Sequence, residues 1–539
     1  MKKNIAIIII ILLLFAVPVE IQAGNPVIKD RYSADPAALV HDGKVYLYTG
    51  HDEATVNDHF FVLKEWSIYS SEDMINWSYE GSLDRKTFTW GMHDTAWASQ
   101  AIERDGKFYW YTTVRNNSHA DPGYAIGVAV SDHPVEGFTD ALGEPLITSS
   151  MTETPEHMGN DPWDVIDPTI FIDEDGQAHM YFGNTHLYYV KLKDNMIELD
   201  GEIELVEIQN MRGTFTEGPF LHYDNDQYYL TFAINYPEEI GYATSDSPDG
   251  PWEFQGKIMD RIPNSGTSHP AVLEFEDQSY FIYHNTALAG GGENNRSVAI
   301  ERLHYYEDGS IAKIIPTASG VKSDSYLIRP INSNLALRQV TMALRVDEIN
   351  EEHFDYRWHE TESLASLGDD YVSYQIDNNP GVYLVMTEEG QLKLEKNDGS
   401  SEFSERASFR KSTGLADQDA YSLQPYLNEH LYVATINEGS SVSLVDASQL
   451  ESEAAATFTI EQAAPIIPPN PNEANDTTEP KESEEPLEQE VEEDKTEEVN
   501  DQLDQTKTET SNQLTWMTII LVSLIVAAGI SYYLLRKRK

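Results

Sequence analysis

The segments DPAALVHDGKVYLYTG, which starts at Asp35, and DPTIFIDEDGQAHMYFG, which starts at Asp167, follow one template. In each, Asp-Pro precedes a short apolar strand, a polar turn and an aromatic-rich strand, which is the pattern of a β-hairpin. Three further segments fit this template: ASQAIERDGKFYWYTT from Ala98, EGPFLHYDNDQYYLTFA from Glu217 and HPAVLEFEDQSYFIYHN from His269. The five starts are separated by 63, 69, 50 and 52 residues, and the stretches between them supply further strands. This pattern predicts a five-bladed β-propeller over residues 24–321.

Repeats of a different size follow the predicted propeller. Ser325, Ser373 and Ser422 open similar strand-like segments that are 48 and 49 residues apart, and Tyr383 and Tyr432 are also separated by 49 residues. Three strand-rich repeats of about this length predict a β-trefoil over residues 322–463. The predicted fold class is therefore all-β, with a propeller followed by a trefoil.

The N-terminal 23 residues have the composition of a targeting segment. Lys2 and Lys3 precede an apolar run, and the small residue Ala23 follows it, so residues 1–23 are predicted to be a signal peptide. Ile21 is larger than the residue usually found three positions before the cleavage site. A cut a few residues away, or an uncleaved segment, is therefore the alternative.

The C-terminal region divides into three segments. Residues 464–513 are rich in acidic side chains and almost free of aromatic ones, so they are predicted to be a disordered stalk, with a tail for a basic partner as the alternative. Residues 514–535 carry no charge and are long enough to cross a bilayer, which favours a transmembrane helix over a buried core helix. The basic residues 536–539 then predict a cytoplasmic tail. We expect a protein anchored in the plasma membrane that exposes its folded domains at the cell surface.

Charge and composition exclude several classes of protein. The 539 residues contain 91 Asp and Glu against 36 Lys and Arg, which gives a formal net charge of −55. Such a charge repels phosphate backbones and anionic headgroups, so nucleic acid is not an expected partner. The absence of cysteine excludes disulfide scaffolds, thiolate nucleophiles and cysteine-ligated metal sites.

The propeller geometry predicts where the functional side chains meet. The first strand of each blade lines the central axis, so the leading residues Asp35, Asp167, Glu217 and His269 should converge, with Trp97 beside them. A single Asp-Pro is usually only a turn device. Three carboxylates brought together repel one another, however, and such a cluster indicates a functional site.

The three acidic segments, in the longer forms SADPAALVHDGKVYLYTGHD, DVIDPTIFIDEDGQAHMYFGN and FTEGPFLHYDNDQYYLTFA, resemble the signatures of glycoside hydrolase family 43. Members of that family are five-bladed propeller enzymes that remove arabinofuranosyl or xylosyl units from plant polysaccharides. The resemblance implies that Asp35 is the general base, that Glu217 is the general acid, and that Asp167 orients Glu217 and raises its pKa. An inverting glycosidase needs such an ionised base and a protonated acid about 6.5–9.5 Å apart.

Three further residues are candidates for the site. Trp97 is a candidate platform for a sugar face, with ordinary core packing as the alternative. Arg296 lies where the family places a substrate-contacting arginine, with a surface salt bridge as the alternative. His269 resembles the axial histidine that contacts a central calcium ion in many family members, and a core histidine is the alternative. Calcium is thus a possible ligand, and no cofactor is expected to be required.

The C-terminal repeats, including NNPGVYLVM and YSLQPYLNEHLYV, are similar to the arabinose-binding β-trefoil modules of arabinofuranosidases. Those modules bind arabinose in one shallow pocket per repeat. His430 and Asp446 are the candidates for such a pocket in the third repeat, and Asp417 is a weaker candidate in the second. If the pockets have been lost, the module is a spacer.

The sequence therefore predicts an extracellular glycosidase that removes α-L-arabinofuranosyl residues from arabinoxylan or arabinan with inversion. The expected partner is a plant cell-wall polysaccharide. A β-xylosidase of the same family is one alternative, and a surface glycan-binding protein that has lost catalysis is another.

Overall fold

The computed structural model describes residues 24–470, apart from residues 93, 94, 351, 352, 437–440, 466 and 469. The predicted signal peptide, transmembrane helix and basic tail lie outside the described residues, as does nearly all of the predicted stalk. In the described part of the chain, no helix is long and apolar enough to span a bilayer.

Residues 34–302 form the five predicted blades, each a sheet built around an antiparallel hairpin. Blade 1 contains β1 (Ala34–His41), β2 (Lys44–Asp52), β3 (Leu63–Ser71) and β4 (Ser78–Asp84). Blade 2 contains β5 (Ser99–Arg104), β6 (Lys107–Asn116), β7 (Gly123–Ser131), β8 (Thr139–Asp140) and β9 (Ile147–Thr148). Blade 3 contains β10 (Thr169–Ile172), β11 (Ala178–Phe182), β12 (Leu187–Leu192) and β13 (Leu199–Val206).

Blades 4 and 5, like blade 2, depart from the four strands of blades 1 and 3. Blade 4 adds a short parallel strand, and contains β14 (Ile208–Gln209), β15 (Phe220–Asp224), β16 (Gln227–Ile234), β17 (Glu239–Ser245) and β18 (Trp252–Met259). Blade 5 has only three strands, β19 (Ala271–Phe275), β20 (Gln278–Asn285) and β21 (Ser297–Arg302).

The start of the described chain fills the missing edge of blade 5 and closes the ring. The backbone N–H of Val27 donates to the carbonyl of Val298 at 2.9 Å, and that of Ser33 donates to the carbonyl of Arg296 at 2.8 Å. Because this segment continues directly into β1, blades 1 and 5 are joined by backbone hydrogen bonds. The same contact brings Asp35 next to Arg296.

Apolar side chains fill the spaces between neighbouring blades. Trp66 of blade 1 and Trp110 of blade 2 lie in one such cluster, and Tyr181 of blade 3 and Trp252 of blade 4 lie in another; all four are fully buried. The second strand of each blade is apolar or aromatic on both faces because neighbouring blades cover both sides of the sheet. This packing holds the first strands around a common axis.

The C-terminal module is a barrel of six strands that carries three two-stranded hairpins. The closed barrel consists of β22 (Ser325–Pro330), β25 (Arg357–Glu362), β26 (Tyr371–Ile376), β29 (Phe409–Thr413), β30 (Tyr421–Pro425) and β33 (Phe458–Gln462). The hairpins pair β23 (Leu335–Val340) with β24 (Ala343–Glu348), β27 (Val382–Met386) with β28 (Leu392–Lys396), and β31 (Leu431–Ile436) with β32 (Ser441–Asp446). Four strands per repeat, two in the barrel and two in a hairpin, are the strand layout of a β-trefoil.

Within residues 24–470, as far as they are described, helical structure is confined to short segments. The one α-helix among the described residues, α1 (Ser401–Arg406), begins where the Ser400 side chain accepts the backbone N–H of Phe403. Single turns of 3-10 helix occur at Arg85–Thr87, Ser149–Met151, Glu156–Met158, Gly320–Lys322, Ala447–Gln449 and Glu453–Ala456. The all-β prediction is confirmed.

Ring closure should depend on the buried side chain of Asn25. Its amide nitrogen donates to Glu301 Oε1 at 2.8 Å and to the carbonyls of Ile300 and Thr317, and its Oδ1 accepts the Ile300 N–H at 2.9 Å. We expect Asn25→Ala to lower the free energy of unfolding by about 3 kcal/mol, because buried polar groups lose their partners. Urea denaturation measures this, with Asn117→Ala, an exposed site, as the control. Equal unfolding midpoints for both variants would contradict this role.

Candidate active site

A cavity of about 860 Å³ opens at one end of the propeller axis. Its lining residues come from all five blades and from the segments that connect their strands, and include Asp35, Phe60, Trp97, Arg115, Asp167, Asn184, Glu217, Tyr236, Glu238, Thr267, Glu293 and Arg296. The size is in the range of pockets that bind small ligands. The structure thus brings the three predicted acids together with Trp97 and Arg296, as the propeller geometry requires.

The backbone at or just before the start of three of the first strands takes a left-handed conformation. Asp35 has φ of 48°, Asp167 has φ of 58°, and the equivalent position in blade 4 is Gly218 with φ of 61°. Each of these residues precedes a proline, so Glu217 stands one position earlier in its blade than the two aspartates do in theirs. The alignment of Glu217 with the two aspartates in the sequence template is therefore wrong by one residue. A Cβ on Gly218 would lie 3.2 Å from His269 Nδ1, so glycine suits both the φ angle and the space.

Arg296 fixes Asp35 from the side of blade 5. Its Nη1 donates to Asp35 Oδ1 at 2.9 Å, while its Nε and Nη2 donate to the two carboxyl oxygens of Asp52 at 3.0 and 2.9 Å. His284 Nδ1 lies 3.2 Å from the same Asp35 oxygen. Burial alone would raise the pKa of Asp35, but the Arg296 guanidinium and His284 hold it well below its usual range. Asp35 is therefore ionised, and Arg296 is a buried ion-pair partner rather than a surface one.

Glu217 has the opposite electrostatic environment. Burial, together with the charge of Asp35, raises its pKa to about 7, against the opposing hydrogen bond from Asn184. Asn184 Nδ2 donates to Glu217 Oε2 at 2.6 Å. Since Oε2 accepts that bond, the proton of the neutral acid belongs on Oε1. Below a pH of about 7, Asp35 is thus ionised while Glu217 in the same cavity is protonated.

Asp167 lies beneath Glu217 and is almost fully buried. Its Oδ2 accepts the N–H of Gly218 at 3.0 Å, and its own N–H donates to Thr113 Oγ1 at 3.0 Å. Burial and the neighbouring charges of Glu217 and Asp35 raise the pKa of Asp167 well above its usual range. By holding the residue next to Glu217, Asp167 fixes the direction in which the acid points.

The sequence did not indicate several polar residues of this site, among them Asp52, Asn184 and Glu238. A positional signal exists for Asp52 and Asn184, because each follows the aspartate of its own blade, Asp35 or Asp167, by seventeen residues, at or just after the end of the second strand. Glu238 lies in a segment between strands, where the repeat gives no register. It lines the cavity and is 2% exposed.

Trp97 belongs to an aromatic group on one wall of the cavity. Its ring stacks on Tyr124 with centroids 4.1 Å apart, and Phe60 and Phe61 contact it at 5.8 and 6.4 Å. Phe60 is 57% exposed, which leaves its ring accessible at the rim. The wall offers the flat apolar surface that a sugar face needs, although Trp97 also packs as a core residue does.

His269 lies on the axis, where Nδ1 is 3.7 Å from Asp167 Oδ2. Burial lowers its pKa to about 4, so the imidazole is neutral. Calcium prefers several oxygen ligands, and the described residues contain no group of three or more His, Asp or Glu side chains placed to hold a metal ion. Calcium binding at His269 therefore stays a prediction.

The C-terminal module contacts the segment that carries Arg296. Lys396 Nζ, at the end of β28, donates to the carbonyl of Gly291 at 2.9 Å and to Thr286 Oγ1 at 3.1 Å. The N–H of Gly290 donates to the Asn397 carbonyl at 3.1 Å. The second repeat is thus packed against the loop of blade 5 that precedes Glu293 and Arg296 of the cavity lining.

The three candidate sugar-binding residues of the C-terminal module lie at its surface. Asp446 accepts the N–H of Ser448 at 2.9 Å and begins a 3-10 turn, and His430 is exposed beside it. Asp417 is exposed and accepts the N–H of Asp419 at 3.0 Å. Asp446 and Asp417 thus hold local turns, and sugar binding by the three residues stays a prediction.

Comparison with known proteins follows the division seen in the structure. Residues 23–311 match the model of glycosyl hydrolases family 43, and residues 321–460 match the alpha-L-arabinofuranosidase B (ABFB) domain. The chain is 30% identical over 360 residues to an arabinoxylan arabinofuranohydrolase of Bacillus subtilis (strain 168), covering 56% of this chain and 66% of that protein. It is 28% identical over 347 residues to an arabinoxylan arabinofuranohydrolase of Paenibacillus polymyxa, covering 55% and 52%. The chain thus spans less than two thirds of the length of these two relatives.

Two further matches cover nearly the whole of the other protein. A xylosidase/arabinosidase of Bacteroides ovatus is 28% identical over 332 residues, covering 52% of this chain and 95% of that protein. A solved β-xylosidase/α-arabinofuranosidase from a compost microbial metagenome, in complex with xylotriose and in a calcium-free form, is 27% identical and has a TM-score of 0.46, covering 54% and 97%. Since the family model matches more than half of the 539 residues, the chain belongs to glycosyl hydrolases family 43.

Proposed function

We propose that this protein hydrolyses α-L-arabinofuranosyl linkages of arabinoxylan or arabinan with inversion of the anomeric configuration. The observation that carries the proposal is the pair of carboxyl groups, Asp35 and Glu217, held in opposite protonation states in one cavity. Two carboxyl groups with separated pKa values are what acid–base hydrolysis of a glycoside needs.

In this mechanism, Asp35 activates water. Arg296 and His284 both lie at Oδ1, which leaves Oδ2 available to accept a proton from a water molecule. Glu217 donates its Oε1 proton to the leaving oxygen as the glycosidic bond breaks. The water attacks from the face opposite to the leaving oxygen, so the first product has the inverted configuration, which NMR of the released sugar reports.

The substrate assignment rests on the relatives and on the second module. Two relatives are named arabinoxylan arabinofuranohydrolases, and residues 321–460 match a domain named after an arabinofuranosidase. The exposed ring of Phe60 beside Trp97 suits a neutral sugar. A β-xylosidase is the second candidate, because the relative from Bacteroides ovatus is named a xylosidase/arabinosidase.

We further propose that the protein is displayed at the cell surface. The proposal rests on the signal-like residues 1–23 and on the uncharged residues 514–535 followed by a basic tail. Fractionation of cells that express the full chain tests it. We expect the chain in the membrane fraction, and deletion of residues 514–539 should release it to the medium; recovery of the full chain from the soluble fraction would overturn the proposal.

Removal of the acid tests the proposed reaction. We expect Glu217→Ala to lower kcat on arabinoxylan by about 10²- to 10⁴-fold, the usual contribution of a general acid. The loss should be much smaller on a p-nitrophenyl arabinofuranoside, whose leaving group needs no proton. The measurement is sugar release by wild type, Glu217→Ala and the exposed control Glu202→Gln on arabinosides and xylosides. Equal losses on both leaving groups would contradict the acid role, and release of xylose alone would identify the xylosidase.

The activity should fall as pH rises through about 7, because Glu217 must be protonated and its pKa is raised to about that value. The Asn184 hydrogen bond favours the ionised form, so its removal should raise the pKa further. We therefore expect Asn184→Ala to move the alkaline limb of kcat/KM to higher pH, with the acid limb, set by Asp35, unmoved. If the alkaline limb of Asn184→Ala stays in place or moves to lower pH, Glu217 does not control that limb.

A further inference from the structure

The cavity contains more carboxyl groups than cations. Arg296 is shared between Asp35 and Asp52. Among the described residues, neither Glu217 nor Glu238 has a basic side chain within ion-pair distance, and each of them also lines the cavity. Unpaired buried carboxyl groups that lie close together remain neutral unless hydrogen bonds favour their charge.

Glu238 is held firmly at the seam between blades 4 and 5. Its backbone N–H donates to the Gly266 carbonyl at 2.9 Å, and its Oε2 accepts the N–H of Ser268 at 2.6 Å. Ser268 directly precedes the axial His269, so the Glu238 side chain reaches the first strand of blade 5. This anchorage fixes the position of the carboxyl group without neutralising it.

The other oxygen, Oε1, has no hydrogen-bond partner among the described residues. Oε1 is not fully buried, and because Glu238 lines the cavity, this oxygen retains access to it. A carboxyl group with one oxygen anchored and the other facing a ligand cavity is built for a contact with that ligand. Burial and the charge of Glu217 raise the pKa of Glu238 well above its usual range, which agrees with a neutral acid.

We propose that Glu238 binds the glycosyl unit by donating a hydrogen bond from the Oε1–H of its neutral carboxyl group to a sugar hydroxyl. The inference rests on the proposed function, since it assumes a sugar in this cavity. Glu238 transfers no proton in this role, because that step belongs to Glu217. Glu238 is a substrate-binding residue of the same cavity and supplies a hydrogen-bond donor for the sugar.

Two substitutions test whether Glu238 acts as a neutral hydrogen-bond donor to the sugar. Glu238→Gln keeps a neutral side chain with an acceptor for Ser268 and a donor for the sugar. Glu238→Met keeps the length and removes both. The matched control is Glu239→Gln, because the adjacent Glu239 pairs with Lys257 at 2.6 Å and does not line the cavity.

The experiment compares KM and kcat on a p-nitrophenyl arabinofuranoside at neutral pH, and the dissociation constant of L-arabinose in a Glu217→Gln background. We expect Glu238→Gln to stay within about threefold of wild type, and Glu238→Met to lose about 10- to 100-fold in kcat/KM and to bind arabinose correspondingly more weakly. Thermal melting checks that the variants fold; if Glu238→Met does not, Glu238→Gln and Glu238→Ala provide the same comparison.

Each other outcome overturns the inference. A loss in Glu238→Gln as large as that in Glu238→Met would show that the charged form is needed. Full activity and arabinose binding in both variants would show that Glu238 does not contact the sugar. These failures differ from that of the proposed function, which would be seen as a wild-type protein inactive on every arabinoside and xyloside.

Discussion

The contact on which the site depends is the bridge that Arg296 makes between Asp35 and Asp52. Its guanidinium satisfies both carboxyl oxygens of Asp52 and still reaches Asp35. Because a buried charge is costly unless paired, the three side chains define one another's positions. The bridge joins the last blade to the first, so the ionised carboxyl group of the cavity is located at the point where the ring closes.

The protonation states of the remaining carboxyl groups depend on that bridge. Once the one shared cation is committed to Asp35 and Asp52, the charge on Asp35 disfavours ionisation of Glu217 and Asp167. One cavity therefore contains both a base, Asp35, and an acid, Glu217, although the two side chains are chemically similar. The difference in pKa comes from the surroundings and not from the residue type.

The blades could be predicted from the sequence because each hairpin is a local pattern of strand, polar turn and strand. The convergence of Asp35, Asp167 and Glu217 followed from that repeat. The contacts of Glu238 could not be predicted in this way. Glu238 and its partner Ser268 both lie in segments between strands, where the repeat gives no register. Similarly, residues 25–33 supply the edge of blade 5, and no local pattern in the sequence indicates that this early segment pairs with the last blade.

The closure of blade 5 by residues 25–33 has a consequence for how the protein is made. The segment's partners in β21 lie about 270 residues later in the sequence, so the contact is among the least local in the chain. Contacts of this kind form late and slow the folding of β proteins. During synthesis, residues 25–33 must therefore wait unpaired until β21, the last strand of blade 5, has emerged. Premature release of a chain that ends before Arg296 would leave residues 25–33 without their partner strand and Asp35 without its arginine.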